Sequence, residues 1–341
     1  MKICIVGEFS RELNEGVKNI NCFLSRELQR DNDVLRLDVT KALSFRFWKR
    51  LHAFKPDVIH CVSGPSLKSF VLLKCAYYAA ANKSAKTVMS AVHPYFFTLL
   101  RNPLTRALVL ILKPDLLLTQ SQRALRKLKG LSLHAAYLPN GVDTEKFDEA
   151  PISVKNALRT EYGIDHDKFV ILHVGHLIQG RNLKALRDLQ HGDNQVLVVA
   201  SAHFETDAEV RNALVESGCL VWQDYFEHVE DIYALSDCYV FPVLRGATIF
   251  SPLSVLEAMS CNLPVVSTKH DTLLTSFREG GGLLFVEQDR DIPKAVAEIK
   301  THSIDVDTRT KVLPYSWQSI TTTLEGLYES LRRAQEGAAS P

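Results

Sequence analysis

In the stretch RGATIFSPLSVLEAMSCNLPVVST, residues 245–268, Glu257 is the one carboxylate among apolar and small residues. Ser251-Pro252 has the form of a helix start. A hydroxyl N-cap is followed by proline at the first helical position, where the missing N–H costs nothing. The predicted helix runs over PLSVLEAMS and ends near Asn262, ahead of a strand that contains Pro264. Unpaired N–H groups at its start, those of Leu253 and Ser254 among them, make an anion site suited to phosphate. Glu257 follows about a turn and a half into the helix. Its lone pairs suit the vicinal hydroxyls of a ribose. The competing reading is a glutamate at a partly exposed helix position, helped slightly by the dipole. These residues alone leave both open.

Such a helix needs a sheet to hold its start at an edge. Strand-like apolar runs recur along the chain with helical segments between them. In the first half they are KICIVG, DVLRLDV, DVIHCVS, KTVMSAV, DLLLTQ and AAYLPN. In the second half they are FVILHVG, NQVLVVAS, GCLVWQ, CYVFPV, LPVVST and GGLLFVE. Several are nearly continuous in Val, Ile and Leu, as strands covered on both faces of a parallel sheet must be. VKNINCFLSRELQR and VLEAMSC carry helical spacing between them. Alternation of this kind predicts doubly wound α/β architecture, and it occurs twice. The break falls near LPNGVDTEKFDEAPIS, where Asn140-Gly141 signals a turn and a polar, aperiodic stretch follows. In open α/β sheets ligands bind outside the carboxyl ends of the strands, so two such domains predict a cleft lined by strand ends. No GxGxxG follows the first strand, since VGEFSRELNEG has the wrong spacing. That argues against a dinucleotide cofactor.

Bulk properties agree with a globular chain of two domains. The 341 residues are 46% hydrophobic and 23% charged, and the net charge of +1 gives no general reason to expect nucleic acid. Any basic surface has to be local. The seven cysteines form no CxxC pair and most lie in apolar runs, which predicts reduced, buried thiols in a cytosolic protein. MKICIVGEFS reads as a first strand rather than a signal peptide. RALVLILKPDLLL is far shorter than the ~20 apolar residues of a spanning helix. It reads as a buried or amphipathic segment, or as a helix touching a membrane surface with the help of Arg101, Arg106 and Lys113. His173 and His176 are metal-ligating residue types, but three residues apart on a strand they face opposite ways, which argues against a metal.

SPLSVLEAMSCNLPVVST resembles the donor-site signature of the family 4 retaining glycosyltransferases of the GT-B fold. Other segments are similar to that family in the same order: PDVIH, SAVHPY, LPNGVDTEKF, FVILHVGHLIQGRNLKAL, VEDIYALSDCYVFP and the closing YSWQSITTTLEGLYESL. Together they span nearly the whole chain. The resemblance implies two Rossmann-like domains facing across a cleft. These are an acceptor-side domain over 1–148, a nucleotide-sugar domain over 149–315, and a last helix over 316–335 crossing back to the first.

In that family an E-x7-E pair reads the donor, and Glu257 matches the second glutamate, which contacts the ribose. The position of the first glutamate, which contacts the sugar, holds Ile249, and isoleucine cannot accept a hydrogen bond. Ser251 or loop backbone is the remaining candidate to hold the sugar there. The family's phosphate-binding Arg and Lys map onto His176 and Arg181. Arg181 keeps a permanent forked cation, whereas His176 is charged only below its pKa, ordinarily about 6.5. His93, directly after KTVMSAV, matches the histidine near the donor sugar and is the catalytic candidate. Gly16 stands in the family's glycine-rich turn, with Glu15 in place of its second glycine. Tyr225 and Phe226 occupy the base-pocket segment, where packing is the equal alternative. His60 also ends a strand but has no such match, and reads as a core residue or as one that supports the site from behind.

The resemblance thus implies transfer of a sugar from a UDP- or GDP-linked donor to a glycan or lipid-type hydroxyl. It implies retention, no metal or other cofactor and no nucleic acid, in the cytoplasm with peripheral membrane contact as one reading. Ile249 supports a rival, a non-catalytic nucleotide-sugar-binding or partner subunit. A nucleotide-sugar epimerase is the second rival, and the closing helix speaks against it.

Overall fold

A computed structural model describes the chain except residues 10–15, 63, 92–95, 203–205, 244–250, 302–303 and 339–341. Each of the twelve apolar runs contains a strand, and the strands form two six-stranded parallel sheets. The chain divides into two compact units. One comprises Met1–Gly141, Thr248–Ser251 and Trp317–Pro341; the other comprises Val142–Ala247 and Pro252–Ser316.

The first unit holds β1 (Lys2–Gly7), β2 (Asp33–Asp38), β3 (Val58–Cys61), β4 (Lys86–Ala91), β5 (Leu116–Thr119) and β6 (Ala135–Tyr137). They lie in the order β2-β1-β3-β4-β5-β6. Its helices are α1 (Gly16–Leu28), α2 (Phe45–Phe54), α3 (Leu67–Ala79), α4 (Phe96–Leu99), α5 (Pro103–Leu112) and α6 (Gln122–Gly130). Local chemistry starts four of them: Ser44, Ser66, Asn102 and Ser121 each accept from a backbone N–H two or three residues on. At the end of β1 the chain passes so close to α1 that a Cβ on Gly7 would lie 2.7 Å from Asn21 Nδ2. Glycine alone fits there.

In the second unit α7 (Ile152–Glu161) precedes β7 (Phe169–Val174) and β8 (Asn194–Ala200). There follow α8 (Ala208–Glu216), β9 (Leu220–Gln223), α9 (Val229–Ala234), β10 (Cys238–Phe241) and α10 (Leu253–Ser260). The unit continues with β11 (Val265–Thr268), α11 (Asp271–Ser276), β12 (Leu283–Val286), α12 (Ile292–Thr301) and α13 (Thr308–Val312). Its sheet order is β12-β11-β10-β7-β8-β9. The central strands are buried on both faces, which is why they read as continuous apolar runs.

The last helix, α14 (Trp317–Ala338), belongs to the first unit and packs against α1. Its Tyr328 is fully buried and shares a 2.6 Å hydrogen bond with His60 Nδ1, while His60 Nε2 meets Ser90 Oγ at 2.8 Å. His60 is thus a core residue with both ring nitrogens satisfied. At the head of α14, Trp317 lies where a Cβ on Gly141 would be 2.5 Å from its ring, so only glycine fits. All seven cysteines are free thiols, and five are buried. Cys75 departs from the expectation: it lies exposed on α3, on the helix side away from the buried Phe70, Leu73 and Ala76.

Candidate functional site

The second sheet reverses its order between β7 and β10, which pair directly although β8 and β9 intervene in sequence. Ligands of open α/β sheets bind beyond the strand ends at such a reversal. The segments that leave β7 and β10 carry most of the candidate residues.

Beyond β7, a Cβ on Gly175 would sit 2.8 Å from His173 Nε2. The His173 ring is buried and stacks on Tyr239 and Phe241, and its Nδ1 donates to the Val240 carbonyl at 2.9 Å. Burial lowers its pKa to about 4, so the ring is neutral at pH 7, and Arg181 adds to the shift. His176 is half-buried, with its carbonyl accepting from the Ile178 N–H at 3.0 Å. Arg181 closes the short 3-10 turn Gln179–Arg181. Asn182 follows with φ 56° and donates through Nδ2 to the Pro242 carbonyl and to Asp289 Oδ2, both at 3.2 Å. That ties the turn to the end of β10. The Arg181 guanidinium is half-buried, and burial lowers its pKa. It has no hydrogen-bond or ion-pair partner among the described residues. A desolvated cation without a counter-charge is a place where an anion gains most.

Beyond β10, α10 starts differently from the local rule. Pro252, in extended conformation, is the N-cap; the helix begins at Leu253, and no side chain caps it. Ser251 is therefore not the hydroxyl cap. Its carbonyl accepts from Asn140 Nδ2 at 3.0 Å, a contact 111 residues away in sequence. The N–H groups of Leu253 and Ser254 are thus left without a side-chain cap. Ser254 Oγ accepts from Tyr239 Oη at 2.8 Å.

Glu257 Oε2 accepts from Tyr233 Oη at 2.6 Å. Oε1 has no partner among the described residues. Burial raises the Glu257 pKa, and the Tyr233 hydrogen bond and the charge of Lys146 pull it partly back. Tyr233 is itself fully buried, edge-on to Phe147 at 5.5 Å and stacked on Tyr239 at 6.1 Å. The two ends of the site meet electrostatically at Tyr239, whose phenol feels both Glu257 and Arg181.

Tyr225 and Phe226 follow the edge strand β9, two strands from β7. Tyr225 is exposed, and Phe226 packs on Trp222 at 6.0 Å, which stacks on Tyr162 at 5.7 Å. Gly16 opens α1 in the first unit. His93 and Ile249 lie outside the described residues. Three supporting residues escaped the sequence reading: Tyr233, Tyr239 and Asn182. The two tyrosines stand in YALSDCYVF, where a phenol that reaches a later carboxylate reads the same as a packing ring.

Residues 168–302 match the family model described as "Glycosyl transferases group 1". The chain is 26% identical over 314 residues to the sulfoquinovosyl transferase SQD2 of Arabidopsis thaliana, covering 85% of this chain and 59% of that protein. The chain thus spans less than two thirds of that relative's length. Among solved structures it superposes on a sucrose-phosphate synthase from Thermosynechococcus elongatus with a TM-score of 0.77 at 13% identity, over 98% of this chain and 100% of that one. It also superposes on HepE of Anabaena in complex with UDP-glucose, with a TM-score of 0.73 at 16% identity, over 97% and 100%. The fold is the GT-B fold of these structures, and residues 168–302 are similar to the glycosyl transferases group 1 model.

Proposed function

We propose that the protein transfers a sugar from a nucleoside-diphosphate sugar to a hydroxyl of a glycan or lipid-type acceptor. The observation that carries this is the half-buried Arg181 cation at the reversal of the second sheet, which has no side-chain hydrogen-bond or ion-pair partner among the described residues, together with the uncapped start of α10 that follows the neighbouring strand. Arg181 supplies a permanent positive charge for a leaving diphosphate, and His176 and the N–H groups of Leu253 and Ser254 supply hydrogen-bond donors. Glu257 Oε1 is open to accept from a ribose hydroxyl, while Tyr233 holds the other oxygen. The UDP-glucose complex of HepE and the family match support a nucleotide-sugar donor. On this reading Tyr225 and Phe226 flank the base, and His93 and Gly16 serve the sugar and acceptor side. Ser251 or loop backbone takes the place of the missing sugar-binding carboxylate.

On this reading the Arg181 cation takes up the charge that develops on the diphosphate, and the proposed reaction uses no metal. No residue stands out as a covalent nucleophile. The proposed course is therefore front-face transfer with retention, the departing phosphate helping to deprotonate the acceptor. Exclusion of water matters because water is the competing acceptor.

A second reading, a non-catalytic nucleotide-sugar-binding subunit, is favoured by Ile249 alone. One experiment separates the two. Purified protein is incubated with UDP-, GDP- and ADP-sugars, with and without lipid extract and EDTA, and nucleoside diphosphate release is followed. The transferase reading expects release that is insensitive to EDTA and about 10–100-fold lower in Arg181→Gln, the size of a lost charge-assisted contact to a developing anion. Binding without release under every condition, with release appearing only in Ile249→Glu, would establish the non-catalytic reading. Release of a free sugar epimerised at C2 would establish an epimerase.

A further inference from the structure

The near-neutral net charge conceals a sharp segregation. Residues 41–113 contain twelve Lys and Arg and a single acidic residue, Asp57, whereas the rest of the chain contains 28 Lys and Arg against 38 Asp and Glu. The helices of this segment, α2, α3 and α5, connect β2 to β3, β3 to β4 and β4 to β5. All three steps run in one direction across the sheet. Right-handed crossovers then put the three helices on one face, and α3 does pack against both α2 and α5.

That helical layer is also where large apolar side chains reach solvent. Among the described residues thirteen do so, and seven of them fall within residues 43–111. Leu43 and Phe45 stand at the start of α2, Phe45 being 80% exposed, and Tyr78 near the end of α3 is 75% exposed. On α5, Leu104, Leu108 and Ile111 recur at the spacing of one helix face, with Leu104 at 70% and Ile111 at 71% exposure, while Val109 points to the core. Around them stand exposed Arg46, Lys49 and Arg50 on α2, and Arg101, Arg106 and Lys113 at α5. None of these six cations has an ion-pair partner among the described residues. Lys74 lies over the rings of Tyr77 and Tyr78, at 5.7 Å from each. No described helix is long and apolar enough to cross a membrane.

Apolar tips ringed by unpaired long cations match an interface that is apolar below and negatively charged above. We propose that the α2–α3–α5 face of the first unit docks on an anionic lipid bilayer surface. Leu104, Leu108, Ile111 and Phe45 enter the headgroup boundary, and the surrounding Lys and Arg pair with lipid phosphates. Charge complementarity selects this occupant: a purely apolar partner would leave these six exposed cations uncompensated, and an acidic soluble polymer would leave the apolar tips in water. The proposal stands on this face alone and does not depend on the transferase reading.

The test is co-sedimentation of the full chain with vesicles of phosphatidylcholine, alone or with about one third phosphatidylglycerol, at low and high salt. The expected result is binding to the anionic vesicles only, lost at high salt. Partitioning should fall by about tenfold or more in Leu104→Ser/Ile111→Ser and in Arg46→Gln/Lys49→Gln/Arg106→Gln. Leu313→Ser, an exposed apolar residue of the second unit, should bind as wild type. Unchanged circular dichroism and melting show that the variants are folded. Equal binding to neutral vesicles, no binding to either, or unaltered partitioning of both variants would overturn the proposal. So would concentration-dependent self-association that the same variants abolish without vesicles, which would assign the face to a second copy of the chain.

Discussion

Glu257 is an acid placed where its charge is costly, and the Tyr233 phenol offsets part of that cost. Burial pushes its pKa above the usual carboxylate range, and Tyr233 pulls it down through a 2.6 Å hydrogen bond. An acid whose folded pKa is raised keeps its proton in the folded state up to that value. A ribose hydroxyl is best accepted by the carboxylate, so nucleotide affinity should rise as pH climbs through the raised pKa. Tyr233→Phe removes a donor to the charged form, of the order of 1.5–3 kcal/mol, and so moves this acid limb upward by about one to two pH units. Affinity well above the raised pKa of either protein, where the carboxylate is formed in both, changes much less. Glu257→Ala instead lowers nucleotide affinity at every pH, by about tenfold for one lost charge-assisted contact. Titration calorimetry with a nucleoside diphosphate between pH 5 and 8 checks both. An acid limb at the same pH in Tyr233→Phe would remove the phenol from this role, and undiminished affinity in Glu257→Ala would remove the ribose contact. On the proposed function Oε1, which has no partner among the described residues, receives the ribose hydroxyl, because Tyr233 commits only the other oxygen.

Helix α14 shows the same logic one scale up. It is held to the first sheet by a buried relay from Tyr328 through His60 to Ser90, and burial lowers the His60 pKa to about 3. A base whose folded pKa is depressed gives its full stability above the unfolded value of about 6.5 and loses it as pH falls towards 3. At pH 5 that loss is about 2 kcal/mol. His173, with a pKa lowered to about 4, adds a loss of the same sign in the second unit. Denaturant melts between pH 7.5 and 5 check the assignment: His60→Gln should be less stable at pH 7.5, and its stability should fall with acid by about 2 kcal/mol less than wild type. An unchanged pH slope would show that His60 is not the group that charges on unfolding. At this scale the sequence was most legible for strands. Runs such as VILHV and QVLVVA announce two-sided burial by themselves, and Arg181, Ser254 and Glu257 follow strands β7 and β10 in the chain as read. It was least legible where a local rule was overruled from afar. Ser251-Pro252 has every local mark of a hydroxyl cap, yet Asn140 takes the Ser251 carbonyl and the helix starts uncapped. Tyr233 and Asn182 escaped for the same reason, since their partners lie 24 and 60 or more residues away.

For the whole molecule, the net charge of +1 is the difference between two large, segregated charges rather than a sign of neutrality. Salt at 0.1 M screens beyond about 10 Å, so an approaching surface senses the local patch and not the sum. A chain with the same composition but mixed charges would pass a cation exchanger at pH 8. This one should be retained there at low salt, held by residues 41–113, because the acidic excess elsewhere lies on other parts of the chain. Arg46→Gln/Lys49→Gln/Arg106→Gln removes three of twelve cations from that segment and should elute at clearly lower salt. Three cations removed by Lys→Gln changes in the remainder of the chain alter the net charge equally and should shift elution far less. That pairing is the decisive comparison, since it holds net charge fixed and varies only position. If both triple variants elute together, charge is sensed as a total, and the electrostatic half of the bilayer-docking argument fails with it. If only the first moves, the cations of α2 and α5 form a patch that reads surfaces independently of the candidate site in the second unit.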